Sequence, residues 1–224
     1  SLNPLIWWKM DSLSDNSGSL GNSLSVDVNW VTQIEGPRSS DSFPGFSSEN
    51  QAASFNGINS RIQLSHSSSL NGNEFTICAW VNPSAKNGCS PIFSSRNYNP
   101  YNGYILMIDE EGRWCFVLTD TASSQVYVTG SLVEYDKWSL IMGTFDGTTA
   151  RLYVNGVEIA SRTLSGFVPN PGQRQRIGYG SPDGGDYFSG KIDEVFYLDR
   201  AMTEKESREL YQLALGQTEN GDTT

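Results

Sequence analysis

The chain has 224 residues, 37% hydrophobic and 12% aromatic, with a formal net charge of -10. That is enough apolar material for one sizeable core and too much for a disordered chain. A surface of that sign repels phosphate backbones and anionic lipid, which argues against nucleic-acid partners, and no apolar run approaches the roughly 20 residues a membrane helix needs, which argues against membrane insertion.

The first fifty residues read as irregular, with Pro4 to Met10 as an edge strand and the polar stretches 11–22 and 39–50 as loops. Trp7 and Trp8 point to opposite faces of such a strand, so at most one is fully buried in a two-layer fold. Strands then follow quickly. Runs 52–55 and 61–64 flank an Asn56-Gly57 turn, and the apolar run 75–81 ends at Pro83. Run 91–96 leads into the loop NYNPYN, and 103–109, 113–120 and 125–129 continue a meander. The segment from Trp138 to Arg162 carries the strongest signal. Its alternating runs join at Asp146-Gly147-Thr148 and Asn155-Gly156, residues that tolerate the positive φ of primed hairpin turns. Strands at 174–178 and 188–197 complete the set. Thr203 and Glu206 form a capping box, Leu210, Leu213 and Ala214 give an apolar stripe, and Gly216 is a stop, so one short C-terminal helix is expected. The class is all-β: a two-sheet antiparallel jelly-roll sandwich.

Residues 1–216 read as a single domain, and 217–224 as a polar linker or tail of a larger protein. The cysteines number three, so at least one is unpaired. Cys78 reads as a small buried residue. Cys89 and Cys115 start two strands apart, too far for a disulfide unless the loop at 86–90 folds over.

Several pieces are similar, in this order, to one known group. They are Ser54 to Gly57 followed by Arg61-Ile62; Phe75 to Val81; Trp138 to Phe145 followed by Asp146-Gly147; Leu152 to Gly156; Ile177-Gly178; and Phe188 to Arg200 running into Ala201, Met202 and Glu206. They resemble the laminin-G-like jelly rolls of the concanavalin A-like lectin and glucanase superfamily. The resemblance implies two curved sheets face to face and a binding module, secreted or at the cell surface, attached to other domains and taking a saccharide, a glycoconjugate or a protein partner. It also implies a calcium ion near the last strand, with carboxylates from Asp11 and Asp193 and a turn oxygen at Asn56. Against that stands a simpler reading, in which Asp193 accepts hydrogen bonds from loop amides and Asp11 is solvated.

Saccharides are gripped by aromatic faces and planar polar groups. The loop 97–102 after Arg96 holds Tyr98 and Tyr101, and the loop 181–187 holds Asp183, Asp186 and Tyr187. Arg96, Tyr98, Tyr101, Asp183 and Tyr187 are therefore candidate ligand contacts, against a reading of the tyrosines as covers for the sandwich rim. Trp114 is a further candidate if it faces out from a sheet rather than into the core. Trp80 and Trp138 read as core.

Catalysis is not expected. The superfamily's glucanases carry a Glu-x-Asp-x-x-Glu strand, and the matching positions here are Lys191, Asp193 and Phe196. Regular alternation would also turn Asp193 and Glu194 to opposite faces. His66, the one histidine, lies in a serine-rich loop with no nucleophile elbow nearby. The sequence thus reads as a non-catalytic carbohydrate-binding module, with a protein-binding adhesion module of the same fold or a structural spacer as alternatives.

Overall fold

Asn155 and Gly156 both take positive φ, 51° and 82°, which is what a primed two-residue hairpin turn requires. A side chain at Gly156 would also come within 2.8 Å of the Arg208 backbone in the helix behind it. The computed structural model describes residues 2–84, 88–122, 124–180 and 185–217. The proposed tail beyond residue 217 lies outside them.

The strands are β1 (Ile6–Trp8), β2 (Val26–Asn29), β3 (Thr32–Glu35), β4 (Gln51–Asn56), β5 (Arg61–Leu64), β6 (Phe75–Pro83), β7 (Ser90–Tyr98), β8 (Tyr101–Ile108), β9 (Arg113–Thr119), β10 (Gln125–Leu132), β11 (Ser139–Phe145), β12 (Thr149–Val154), β13 (Val157–Thr163), β14 (Gln175–Ile177) and β15 (Ser189–Leu198). One helix, α1 (Glu204–Ala214), follows them. The first sheet runs β13-β12-β11-β6-β15-β4-β3, with β1 paired to β15; the second runs β10-β9-β8-β7-β14-β5-β2. All the pairings are antiparallel. This is the two-sheet sandwich that the turns and alternation predict.

The inner faces share one core, in which Phe75, Phe93, Tyr104, Phe116, Phe145 and Tyr197 are buried. Phe75 anchors it, with ring centroids of Tyr104, Tyr197 and Phe116 at 4.5, 5.6 and 6.2 Å. Trp8 faces this core and Trp7 the other side of β15, as strand alternation requires.

The outer face of the first sheet is covered too. Helix α1 and the segment 43–46 pack Leu210, Tyr211, Phe43 and Phe46 onto Trp80, Leu140 and Phe196. Trp80 is therefore buried, but under the helix rather than between the sheets, and Trp138 is partly buried beside it. The helix starts as predicted: Glu206 N donates to Thr203 Oγ1 at 3.3 Å and Thr203 N to Glu206 Oε2 at 2.8 Å.

Two strands lie where the sequence suggested only irregular chain. β2 and β3 are the end strands of the two sheets. β3 is exposed along its whole length, so it lacks the apolar alternation by which a strand is recognised. The segment around Trp7 is an edge strand as expected: β1 pairs with β15 alone. All three cysteines are free. Cys89 nevertheless packs against the small outer cluster of Ile105, Met107, Cys115 and Val117.

Candidate functional site

With one sheet roofed by the helix, the open surface is the outer face of the second sheet. Alternation decides which residues reach it. On β9, Trp114, Phe116 and Leu118 enter the core, so Arg113, Cys115 and Val117 face out. Register then places Met107 opposite Cys115 and Thr129 on the other side of it, and Tyr127 opposite Val117. Of these outward positions Met107, Arg113, Tyr127 and Thr129 line a cleft of about 490 Å³ with Arg96, Tyr98, Tyr101, Gln125 and Asp186.

Arg96 organises the cleft. It is only 5% exposed. Its guanidinium lies 4.8 Å from the Tyr98 ring and 5.0 Å from the Tyr101 ring, and it donates to Gln125 Oε1. Three strand spacings separate β7 from β10, about 14 Å in a flat sheet. The two long side chains reach toward each other across the intervening strands and meet over the outer face. Tyr101 and Tyr127 remain 45% and 48% exposed, and the Tyr127 hydroxyl donates to Gln125 Oε1 at 3.1 Å. Burial raises the Tyr98 hydroxyl's pKa, with the Arg96 charge pulling it back.

The hairpin that carries the tyrosines has a fixed base. Gly103, opposite Arg96 in register, sits at φ 83°, and a Cβ there would come within 1.8 Å of the Ser95 carbonyl oxygen. Beneath β7 a buried polar network locks the strand. Ser95 Oγ donates to Asn71 Oδ1 at 2.8 Å, and Asn170 Nδ2 and Gln175 Nε2 each donate to Ser95 Oγ at 3.3 Å. Arg176 Nη1 reaches the Arg96 carbonyl at 3.2 Å.

Arg96, Tyr98 and Tyr101 thus come together as the sequence suggested, joined by Asp186 from the second loop. Asp183 lies outside the described residues. Tyr187 does not line this cleft; it stacks on Tyr179 at 4.7 Å. Trp114 is 2% exposed and belongs to the inter-sheet core, because alternation on β9 turns it inward. Gln125, Tyr127 and Glu110 were missed as lining residues. The polar alternation of Gln125, Tyr127 and Thr129 was visible, but only the strand order places them beside Arg96.

The residues expected to hold calcium do not share one shell. Asn56 pairs with Ser189, and Ile192 with Ala53, so Asp193 lies four residues farther along β15, roughly 13 Å away. Asn56 Oδ1 instead accepts the amides of Ile58, Asn59 and Ser60 at 2.9, 3.0 and 3.1 Å. Asp193 is 0% exposed. Its Oδ2 accepts from Asn50 Nδ2 and its Oδ1 from Glu194 N, both at 2.7 Å. Asp11 is exposed and its Oδ1 accepts from Gln51 N at 3.2 Å. Calcium needs six to eight oxygen ligands; this donor set, already filled by N–H groups, does not fit it. Among the described residues no group of three or more His, Cys, Asp or Glu side chains is placed to hold an ion. We accordingly expect EGTA to leave the thermal midpoint unchanged, and a fall of several degrees would restore the ion.

A bulge also changes the reading of Asp193 and Glu194. The register of β15 on β6 shifts between Asp193 and Phe196, and Glu194 takes φ 48°. Ile192 and Val195 both face the inner core, so the two acids between them lie on the outer side rather than on opposite faces. Glu194 accepts from the Trp7 indole N–H and lines a groove of about 300 Å³ with Phe46, Trp80 and Phe196. Burial pushes its pKa up to about 7, with the Trp7 hydrogen bond and Lys9 opposing. Burial likewise raises Asp193, reinforced by Glu194 and opposed by Asn50.

Solved structures share this architecture. The binding domain of Paraclostridial Mosquitocidal Protein 1 superposes with a TM-score of 0.71 at 18% identity, over 94% of this chain and 52% of that one. The botulinum neurotoxin serotype G binding domain gives 0.71 at 17%, over 94% and 51%. A binding domain of botulinum neurotoxin DC, in complex with SialylT, gives 0.69 at 12%, over 95% and 51%. The chain spans about half the length of these structures, and at such identities the likeness shows the fold alone. No curated protein matches the sequence. The family model that describes the concanavalin A-like lectin/glucanases superfamily matches residues 56–206, a stretch that runs from the β4–β5 turn to the first turn of α1. With two thirds of its length matched and both sheets in place, the chain belongs to that superfamily.

Proposed function

We propose that the protein is a non-catalytic saccharide-binding module whose site is the cleft on β7 to β10. One observation carries this reading: Tyr98 and Tyr101, paired at the ends of β7 and β8, flank the buried Arg96 guanidinium at the mouth of a cleft lined by further outward polar groups. Aromatic faces suit the C–H surface of a pyranose, and planar amide and guanidinium groups suit its hydroxyls. The neighbour in complex with SialylT makes glycans sensible first probes. An extracellular setting and attachment to other domains are carried over from the family alone.

The non-catalytic part rests on position. The sequence nearest to the glucanase pattern lies on β15, in the other sheet, with Lys191 and Phe196 at two of the three positions. Asp193 is committed to Asn50 and the Glu194 amide.

Tyr101→Ala is expected to lower glycan affinity about tenfold or more while leaving the melting temperature unchanged, since a half-exposed ring contributes little to folding. Fluorescence titration and calorimetry read both. A blank glycan array with a protein partner co-purifying would replace the saccharide by a protein ligand, and hydrolysis of a polysaccharide would overturn the non-catalytic reading.

A further inference from the structure

Aromatic walls accept many pyranoses, so the selectivity of the cleft lies in its charges. Four carboxylates line it, Asp109, Glu110, Glu111 and Asp186, against two guanidinium groups, Arg96 and Arg113. The guanidinium groups are already engaged. Arg113 Nε donates to Asp109 Oδ2 and its Nη2 to Glu111 Oε2, each at 2.9 Å. Arg96 lies against the two tyrosine rings and donates to Gln125. Asp109 is further fixed by the amides of Glu111 and Arg113, at 3.1 and 2.8 Å from its Oδ1.

Glu110 and Asp186 are left over. Among the described residues neither has an ion-pair partner. They come from different loops, and they are near enough to act on each other: the Asp186 carboxyl is raised by burial and then by Glu110, with Arg96 opposing. Asp186 is half-buried and Glu110 exposed, so the pair reaches from the wall of the cleft to its rim. An acidic sugar would bring a third negative charge into a partly desolvated space. A protonated amine would relieve the repulsion already there.

We propose that the cleft selects amino sugars: a saccharide with a free, protonated amine between Glu110 and Asp186 and a ring on the exposed face of Tyr101, with acidic saccharides excluded. This rests on the cleft being a saccharide site. The step adds a class of guest to that reading, and the charge pattern supplies the reason.

The test is calorimetry on the full chain at about pH 6, where the sugar's amine is protonated. The probes are a glucosamine trimer, its N-acetylated counterpart, a glucose trimer and sialyllactose. The glucosamine trimer should bind at least about tenfold tighter than either neutral trimer, because hydrogen bonds to charged groups exceed neutral ones by that order. The preference should shrink in high salt. Replacing both acids, Glu110→Gln with Asp186→Asn, should bring the glucosamine trimer down to the neutral trimers. Neutral or sialylated sugars binding as tightly as the amine, or a preference that survives the double substitution, would overturn the amine selectivity. In either of those cases loss of binding in Tyr101→Ala keeps the saccharide site standing. If none of the four sugars binds the folded protein, both readings fall.

Discussion

Trp114→Ala is expected to destabilise the protein by about 3–5 kcal/mol, the usual cost of emptying a large aromatic from a packed core. Trp114 is among the largest fully buried side chains and sits between the sheets. Its neighbours Arg113 and Cys115 take the outward positions, so the strand cannot turn it outward without exposing Phe116 and Leu118 as well. Urea denaturation measures the loss as a lower midpoint at constant slope. Trp114→Phe, which keeps most of the volume, should recover much of it. A ligand contact at Trp114 would give the opposite pattern: weakened binding at unchanged stability.

The second large effect has the other sign. Glu194→Gln is expected to stabilise the protein near pH 8 by up to about 3 kcal/mol, and hardly at all near pH 4. Burial beside Trp7 lifts the Glu194 carboxyl to about 7 from its ordinary 4.5, with Lys9 lowering it and Asp11 raising it. Between those values the folded protein holds a proton that the unfolded chain releases. The stability tied to this group is whole below about 4.5 and is lost as the pH climbs to about 7. Asp193, raised by burial and by Glu194, acts in the same direction. Glu206 acts oppositely. Its hydrogen bond from Arg200 holds it down to about 2, so its contribution is present above about 4.5 and is lost toward acid. Thermal melts across this range should show wild type weakening toward alkaline pH and the glutamine variant much flatter. An equal gain at both ends of the range would remove the buried charge as the cause.

How much of this was legible depended on how local the signal was. The hairpins at Asp146-Gly147 and Asn155-Gly156 follow from the φ that those residues tolerate, and the capping box at Thr203 is a four-residue pattern. Short apolar runs mark β6 to β9 and β15. By contrast, β2 and β3 lie at sheet ends and bury little, so no period reveals them. Tyr98, Tyr101 and Arg96 stand close together in the chain and were readable as one group. Gln125, Tyr127 and Glu110 join them only through pairing of β8, β9 and β10. The bulge at Glu194 was the least legible feature. One extra residue reverses the parity of β15, and nothing in Lys191 to Phe196 distinguishes a bulged strand from a regular one. That single shift brings Glu194 to the same outer side as Asp193, whereas the distance from Asp193 to Asn56 is set by the register of β15 on β4.

The hydrogen-bonded lattice of Ser95, Asn71, Asn170 and Gln175 has a kinetic meaning. Polar partners with fixed directions admit one arrangement, where a greasy seam would tolerate several. The platform under Tyr98 and Tyr101 is therefore shaped before any guest arrives. Association of a ligand should then proceed without a slow rearrangement, with a single relaxation phase linear in ligand concentration.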